Sequence, residues 1–410
     1  MTFPNTPFRS TCTLALFIVS LLVLGGCEAE SPFDPPEPPE FAATPVPYNT
    51  LTGWTDADAE GALDALLTSC ATWSDRDADT PMHDTWPWYG TVGDWQHACA
   101  RLEERPDTVG PIERLRTLFQ PMHLTARDSA DTALLTGYYE PLLQGARQPT
   151  DRYDVPLRST PPDIVEADLS DFRTDAEGTL VGRLDGNRLV PYPDRQAINE
   201  GAIDEHNLEF LWVDDRIDKF FLQIQGSGRV ELADGSVTRV GYAGQNGRAY
   251  RAVGRDLVEA GEVPAEEMSM QRIRTWMEED DHRADTLMHR NPSYIFFQER
   301  TDLNPDEGPI GSQGVPLVAE RSLAVDPDFV PLGAPVWLDG TAPTAALEDT
   351  NAVSFQQLMV AQDTGGAIKG PLRGDVFWGS GDDAEVRAGR MQHPASWYVL
   401  VPRAALMGAD

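Results

Sequence analysis

The feature that most constrains the fold is the spacing of short apolar runs beyond Thr132. These runs are rich in β-branched and aromatic residues, and Gly, Pro, Asp and Asn separate them. Little helical periodicity lies between most of them, which favours a barrel or sandwich over a doubly wound parallel sheet. The strands expected from this pattern are 134–140, 210–213, 220–225, 230–232, 237–240, 294–298, 323–325, 336–338, 357–361, 376–378 and 397–401.

Helical periodicity fills the stretch before these runs and a shorter stretch within them. Apolar residues recur at helical spacing in 56–73, 92–102, 112–119, 248–259 and 269–279. Cys70 and Cys99 lie on apolar faces of the first two helices. In an oxidising compartment we expect a disulfide between them, and two buried free thiols are the alternative.

Composition limits the class of partner. Acidic residues outnumber basic ones 66 to 32, and the formal net charge of −34 disfavours nucleic acid as a partner. Only two of the basic residues are lysines, Lys219 and Lys369. The chain has no Cys-x-x-Cys and no histidines at ligand spacing, and His282 and His289 lie among acidic neighbours. We therefore expect no metal and no cofactor.

The amino terminus is typical of an exported lipoprotein. The apolar run 14–24 is shorter than the roughly 20 residues that a spanning helix needs, so 1–26 is interpreted as a signal peptide. The ending LGGC at 24–27 resembles a bacterial lipobox, with Cys27 as the lipid attachment site. Glu28 after it favours the periplasmic face of the outer membrane, and the Pro-rich segment 27–48 is expected to be a tether. An ordinary secretory signal with an incidental cysteine is the alternative.

The segment 361–379 carries the strongest chemical signal. A strand, a Gly-rich turn and a second strand would put Asp363 at the end of one strand and Asp375 at the start of the next, with Lys369 between them. Two carboxyl groups near Phe377 and Trp378 can raise one pKa through repulsion and desolvation. The alternative is a turn whose aspartates bond their own backbone. The signatures of common serine and zinc hydrolases are missing, which leaves carboxylates, hydroxyls and amides to do any chemistry.

Several sequence blocks together resemble the membrane-bound lytic murein transglycosylase A family. The carboxy-terminal block is DTGGAIKG at 363–370 followed by DVFWG at 375–379. Four further blocks occur in the family's order: LTGYYEP at 135–141, FLQIQGSG at 221–228, NPSYIFF at 291–297 and RSLAVDP at 321–327. The similarity covers most of the chain from about residue 50.

This resemblance implies a mainly β protein with helices (α+β) and two domains separated by a glycan groove. The main domain, 49–138 and 292–410, would contain a double-psi β-barrel packed with the amino-terminal helices. A smaller β-rich domain, 139–291, would be inserted between its two parts.

The resemblance also implies the reaction, that of a peptidoglycan lytic exotransglycosylase. Such an enzyme cleaves the β-1,4 bond between N-acetylmuramic acid and N-acetylglucosamine and leaves 1,6-anhydromuramyl ends. The family's acid corresponds to Asp375, which would act first as acid and then as base, and Asp363 would be its electrostatic neighbour. Lys369 would steer an anionic peptide group or form a salt bridge with Asp363. Side chains and glycines that could hold the glycan are Thr136, Tyr138, Tyr139, Glu140, Gln223, Gln225, Gly226 and Ser227.

Two other functions remain open at this point. The first is a hydrolytic muramidase in which Glu140 and Asp375 act on a water molecule. The second is a non-catalytic lipoprotein that binds peptidoglycan. Peptidoglycan glycan strands are the expected partner in all three interpretations. Contact with the membrane would be through the amino-terminal lipid only, and other cell-wall synthases or hydrolases are further candidate partners.

Overall fold

The computed structural model describes residues 41–54, 59–104, 109–126, 133–173, 178–304, 307–347, 349 and 351–407. The chain divides into two units, Met1–Pro38 and Pro39–Asp410. The predicted signal peptide, the lipid site Cys27 and the start of the tether lie outside the described residues.

Strands dominate the second unit. They are β1 (Phe41–Pro45), β2 (Phe119–Ala126), β3 (Ala133–Glu140), β4 (Leu142–Ala146), β5 (Val155–Arg158), β6 (Val165–Asp168), β7 (Thr179–Asp185), β8 (Arg188–Pro191), β9 (Glu209–Val213), β10 (Ser227–Leu232), β11 (Val237–Gln245), β12 (Ile295–Arg300), β13 (Ser322–Val325), β14 (Pro335–Pro343), β15 (Ala352–Asp363), β16 (Arg373–Ser380) and β17 (Gln392–Pro402). The helices are α1 (Ala59–Ala71), α2 (Val92–Glu103), α3 (Pro111–Leu118), α4 (Arg195–Asn199), α5 (Arg216–Gln225), α6 (Val253–Glu259), α7 (Met270–Glu278), α8 (Asp281–His289), α9 (Asp382–Arg390) and α10 (Arg403–Met407).

The largest sheet closes into a barrel. Its strand order is β1-β2-β17-β14-β15-β13-β16-β3, and β3 also pairs with β17. The six strands from β17 to β3 therefore form a closed ring, which removes sheet edges. Two pairs in the ring are parallel, β13 with β15 and β16 with β3. This architecture confirms the predicted class, mainly β with helices.

Helices α1 and α2 pack on the barrel and share its apolar core. Their buried residues include Leu63, Leu66, Trp95 and Leu102, which belong to the same cluster as the barrel interior. A disulfide joins Cys70 to Cys99 across the two helices, with the Cα atoms 5.8 Å apart. Apolar burial thus holds the helical layer against the strands, and the disulfide ties its two helices together.

A second, six-stranded sheet has the order β12-β11-β10-β4-β9-β5, and a small third sheet has the order β6-β7-β8. Helices α5 to α8 share an apolar cluster that includes Phe220, Leu257, Trp276 and Leu287. Strand β12 lies in the 292–410 segment and pairs with β11 of the second sheet.

The predicted strand 220–225 is wrong, since these residues lie in helix α5. The Asp215 side chain accepts hydrogen bonds from the backbone amides of Ile217 and Asp218, and Gly226 ends the helix with φ of 81°. These are the start and stop signals of a helix. They outweigh the β-propensity of the apolar run between them.

Two other element boundaries also differ from expectation. Phe41–Pro45, predicted as tether, forms edge strand β1 and pairs with β2. Phe41 is buried beside Trp86, with ring centroids 4.9 Å apart, and this contact anchors the strand. Residues 248–252, predicted as helix, are irregular because Asn side chains take their amides. Asn291 Oδ1, for example, accepts from Arg251 N at 3.1 Å.

Candidate active site

A β-bulge sets the direction of the Asp363 side chain. Strand β13 pairs with β15 as Leu323 with Ala361 and then Ala324 with Asp363, so Gln362 is an extra residue. The buried Gln362 amide donates to Ala65 O and Ser69 Oγ, both at 2.9 Å. The bulge therefore turns Gln362 towards α1 and puts Asp363 on the face that Ala324 occupies.

Asp375 lies on the opposite side of the same β13 residue. Ala324 pairs with Asp363 in β15 and with Asp375 in β16. Because paired residues share a face, both carboxyl groups project from one face of the barrel wall, with Cα atoms about 10 Å apart at ~4.8 Å per strand. Thr136 in β3 pairs with Asp375 on its other side, and its hydroxyl donates to Asp375 Oδ1 at 2.7 Å.

An apolar floor underlies the two carboxyl groups. Tyr138, Leu317, Ala324, Ile368 and Phe377 form a small buried cluster separate from the main core. Burial raises the pKa of Asp375 to about 6, while the Thr136 hydrogen bond and the Arg373 charge oppose the rise and the Asp363 charge adds to it. Asp375 can therefore hold a proton close to neutral pH, which a general acid requires.

Asp363 is fixed more firmly than Asp375. Its Oδ1 accepts from Ser312 N, Ser312 Oγ and Thr364 N, each at 2.9 Å, and its Oδ2 accepts from the Tyr138 hydroxyl at 2.8 Å. Burial raises the pKa of Asp363, and these hydrogen bonds oppose the rise because they favour the charged form. The group is suited to an electrostatic role in one fixed orientation.

Two residues beside the carboxyl groups were missed by the sequence analysis. Ser312 comes from the loop before β13, and Tyr250 comes from the irregular segment before α6. Burial raises the pKa of Tyr250 and the Asp375 charge adds to it. The sequence offered one weak hint for each residue: Ser312 lies within the Gly-containing loop GSQG at 311–314, and Tyr250 follows the loop GQNG at 244–247 by three residues. Neither segment is near Asp375 in the chain, so no local pattern linked them to it.

Consecutive residues of β3 lie in different environments. Tyr138 bonds Asp363, whereas Tyr139 lines a separate cavity with Arg274 and Glu385. Glu140 is buried and its Oε2 accepts from Arg229 Nε at 2.7 Å, with Arg239 Nε 3.4 Å from Oε1. Tyr138 therefore lies at the carboxyl pair, while Tyr139 and Glu140 do not.

The other predicted glycan contacts lie in or just after helix α5, and two of them already make internal hydrogen bonds. Gln223 is buried and bonds Arg195 and Ile295 O, so its amide is already occupied. Gln225 Oε1 accepts from Tyr139 N at 3.0 Å, which ties α5 to β3. Gly226 and Ser227 follow at the turn into β10, where a side chain at Gly226 would meet open space.

The salt bridge considered between Lys369 and Asp363 is wrong. Lys369 Nζ lies 3.4 Å from Asp326 Oδ1, and Asp326 Oδ2 accepts from Gly370 N at 2.8 Å. Asp326 is buried, while the Lys369 side chain is 64% exposed. The pair thus holds the Gly-rich turn against β13 and leaves Asp363 to its hydroxyl and amide donors.

No group of three or more His, Cys, Asp or Glu side chains in the described part of the chain is placed to hold a metal ion. Of the helices just described, none has the length and hydropathy needed to cross a membrane.

Family models match two parts of the chain. The MltA specific insert domain matches residues 134–298 and the 3D domain matches residues 321–401. Among named proteins, membrane-bound lytic murein transglycosylase A of Escherichia coli K12 is 32% identical over 279 residues, 67% of each chain. The protein of that name in Vibrio cholerae is 30% identical over 278 residues, again 67% of each.

Solved structures agree with these matches. The crystal structure of membrane-bound lytic murein transglycosylase from Agrobacterium tumefaciens has a TM-score of 0.77 at 31% identity, covering 90% of this chain and all of that one. MltA from Neisseria gonorrhoeae gives 0.70 at 30% identity, with 90% and 96% covered. E. coli MltA with bound chitohexaose gives 0.63 at 25% identity, with 90% and 95% covered.

Proposed function

The chain belongs to the membrane-bound lytic murein transglycosylase A family, and on this premise we propose how its residues act. It is a peptidoglycan lytic transglycosylase. It cleaves the β-1,4 bond between N-acetylmuramic acid and N-acetylglucosamine and forms 1,6-anhydromuramyl ends. The observation that supports this most strongly is a single carboxyl group, Asp375, whose pKa burial raises to about 6 beside a hydroxyl donor.

Asp375 serves both halves of the reaction. Its carboxyl proton goes to the glycosidic oxygen as the bond to C1 breaks, and N-acetylglucosamine leaves as an alcohol. The carboxylate then takes the proton of the muramyl C6 hydroxyl as O6 bonds to C1. No water is consumed, and Asp375 is protonated again at the end. General acid and base assistance of this kind contributes about 10²- to 10⁴-fold in rate.

Asp363, Thr136 and Tyr138 prepare this carboxyl group. The Asp363 charge favours the protonated form of Asp375 and stabilises the positive charge that develops at C1. Thr136 orients Oδ1 by its hydrogen bond and limits the rise in the Asp375 pKa. Tyr138 keeps the Asp363 carboxylate in place and forms part of the apolar floor. These three are positioning residues in the proposal.

The geometry disfavours the hydrolytic alternative with Glu140. Glu140 is four residues from Thr136 along β3, about 13 Å at ~3.3 Å per residue, and an inverting pair needs roughly 6.5–9.5 Å. Two arginines also hold its carboxylate in a buried ion pair. Asp363 lies nearer to Asp375, but hydrogen bonds occupy both of its oxygens.

Membrane attachment extends the proposal beyond the catalytic domain. Both curated relatives are described as membrane-bound, and the lipobox at 24–27 supports a lipid on Cys27. We place the protein at the periplasmic face of the outer membrane. Metabolic labelling with radioactive palmitate should mark the wild-type chain and not Cys27→Ala. Equal labelling of both would exclude this anchor.

The central experiment is mass spectrometry of muropeptides released from purified sacculi. The wild type should release 1,6-anhydro ends, which are lighter by one water than reducing ends. Asp375→Asn should lose at least about 100-fold in turnover and still bind sacculi. Reducing ends would indicate hydrolysis, and unchanged turnover of Asp375→Asn would exclude Asp375 as the acid. Binding without turnover by the wild type would indicate a non-catalytic protein.

A further inference from the structure

A cavity of ≈ 350 Å³ beside helix α5 is not used by the reaction above. Residues of β5, α4, α5 and α8 line it. Its charged lining residues include Asp154, Arg195, Glu200, Arg216, Lys219 and Asp285. Its volume is at the lower end of the range for small-molecule sites.

Two buried cations on the cavity wall, Lys219 and Arg195, have no carboxylate partner among the residues that the structure describes. The exposed fraction is 7% for Lys219 and 3% for Arg195. Within the described residues, no carboxylate oxygen lies within 4.0 Å of either side chain, whereas the neighbouring Arg158 has Glu209 at 2.9 Å and Asp204 at 3.3 Å. Buried charges are normally paired, so this wall is short of negative charge.

The neutral contacts of these cations leave donors free. Arg195 donates to Asn291 O at 3.0 Å, to Ser293 O at 2.5 Å and to the Gln223 amide oxygen. These bonds use three of the five guanidinium N–H groups. Lys219 Nζ lies 5.3 Å from the centre of the Tyr294 ring, and the Tyr294 phenol is the one hydrogen-bonding partner identified for it in the described part of the chain. Burial lowers the pKa of Lys219, and the nearby charges of Arg158 and Arg195 lower it further, which a bound anion would offset. An ammonium has three donors, so Lys219 can also bind an anion.

Charge is distributed unevenly around the cavity. Asp154 and Glu200 are exposed, whereas Lys219 and Arg195 are buried. A third acid, Asp285, is bound to Arg216 at 2.7 Å. The cavity therefore has a cationic floor and an acidic rim. A group with a carboxylate and an ammonium a few bonds apart, as in an amino acid, complements both.

The cavity is electrostatically linked to the candidate active site through Tyr250. Burial raises the pKa of Tyr250, the Asp375 charge raises it further, and the Arg195 charge opposes the rise. Both charges thus act on one phenol. A peptide attached to a glycan at Asp375 would span about 10–18 Å in three to five residues at ~3.5 Å each. Such a peptide has the length to extend from the one site towards the other.

We propose that this cavity binds the free end of a peptidoglycan stem peptide, with a carboxylate against Lys219 and Arg195 and an ammonium at Asp154 and Glu200. The identity of the ligand rests on the proposed function. The chemistry that the cavity selects, an amino-acid carboxylate on a buried cationic floor, is independent of the proposed function. Stem recognition would favour glycan strands whose peptides are not cross-linked, since cross-linking consumes a free amine and a carboxylate.

The two lysines allow a direct test. The full chain, labelled at lysine Cε and solubilised in detergent, gives two side-chain signals, one from buried Lys219 and one from exposed Lys369. Titration with the tripeptide L-Ala-γ-D-Glu-diaminopimelate should shift the Lys219 signal and leave Lys369 unchanged. The amidated tripeptide should shift neither. Inorganic phosphate is the third probe. A shift with phosphate and none with the tripeptide would overturn the assignment to an amino-acid carboxylate.

Variants separate this inference from the proposed function. Lys219→Met should weaken tripeptide binding at least tenfold. Arg147→Gln, which removes a charge from an exposed residue just after β4 and outside the cavity lining, should not. Asp375→Asn should bind the tripeptide normally, so binding and catalysis fail independently. Glycan with stems should lose kcat/KM in Lys219→Met, and peptide-free glycan should not. Equal binding by Lys219→Met and wild type would overturn the proposal. So would an unshifted Lys219 together with a tyrosinate absorbance that Tyr294→Phe removes, since the phenolate would then be the internal partner.

Discussion

Replacing Asp375 by asparagine should stabilise the folded protein, and the gain should grow with pH. Burial raises the pKa of Asp375 from 3.8 to about 6. The folded state therefore holds this proton more tightly than the unfolded chain. The resulting stability is complete below 3.8 and is lost as the pH rises through 6. Asparagine does not ionise, and the Thr136 hydroxyl can still donate to its oxygen.

The size of the effect follows from the difference in pKa. At 1.36 kcal/mol per pKa unit, ionisation of Asp375 costs the folded state about 1 kcal/mol at pH 4.5 and about 3 kcal/mol at pH 8. Any pH-independent effect of the new side chain cancels when the two conditions are compared. The free energy of unfolding should thus differ between variant and wild type by about 2 kcal/mol more at pH 8 than at pH 4.5.

Urea unfolding followed by tryptophan fluorescence at several pH values measures this difference. The control is Asp75→Asn, which removes a charge from an exposed turn. A difference between Asp375→Asn and wild type that is independent of pH would refute the reasoning. So would one that shrinks as pH rises, because the carboxyl group would then not carry a raised pKa.

Three further predictions concern separate contacts. Thr136→Val removes the hydrogen bond to Asp375 and should move the basic limb of the kcat/KM profile upward by about 1–2 pH units, since a bond to a charged group is worth roughly 1.5–3 kcal/mol. Thr136→Ser should keep the wild-type limb, and an unmoved limb in Thr136→Val would contradict the role given to this bond. Tyr250→Phe should lower kcat/KM on sacculi while leaving the free energy of unfolding within about 0.5 kcal/mol of wild type; an equal loss of both would mean a purely structural phenol. Replacing Cys70 and Cys99 together by Ser should lower the free energy of unfolding by about 3–4 kcal/mol for a loop of about 30 residues, and chemical denaturation with an unchanged midpoint would exclude that contribution.

The carboxyl pair shows how much local sequence can specify. Asp363 ends β15 and Asp375 is near the start of β16, as the alternation of apolar runs and glycines predicts. The side-chain direction of Asp363 was not predictable. It depends on the bulge at Gln362, and that bulge depends on contacts with α1, about 300 residues earlier in the chain. Register between distant strands has no local signature.

Helix α5 is an error that the sequence could have prevented. Asp215 and Gly226 are start and stop signals, and the β-propensity of the residues between them was given too much weight. The positions of Ser312 and Tyr250, and the pairing of Lys369 with Asp326, could not have been predicted from local signals. Each contact joins segments at least 43 residues apart, and no pattern in either segment specifies the other.

The sequence alone determined most of the elements: most of the apolar runs that become strands, the two cysteines on apolar helix faces, and aspartates near the ends of two strands. Periodicity and turn chemistry are local, so a reader of the chain can recover them. The tertiary structure decided which surfaces meet. Closure of β3 on β17, the apolar floor that raises the pKa of Asp375, and the cavity around Lys219 all arise from long-range packing. Burial and pairing of charge are properties of the folded chain, because they depend on which distant groups exclude water from one another.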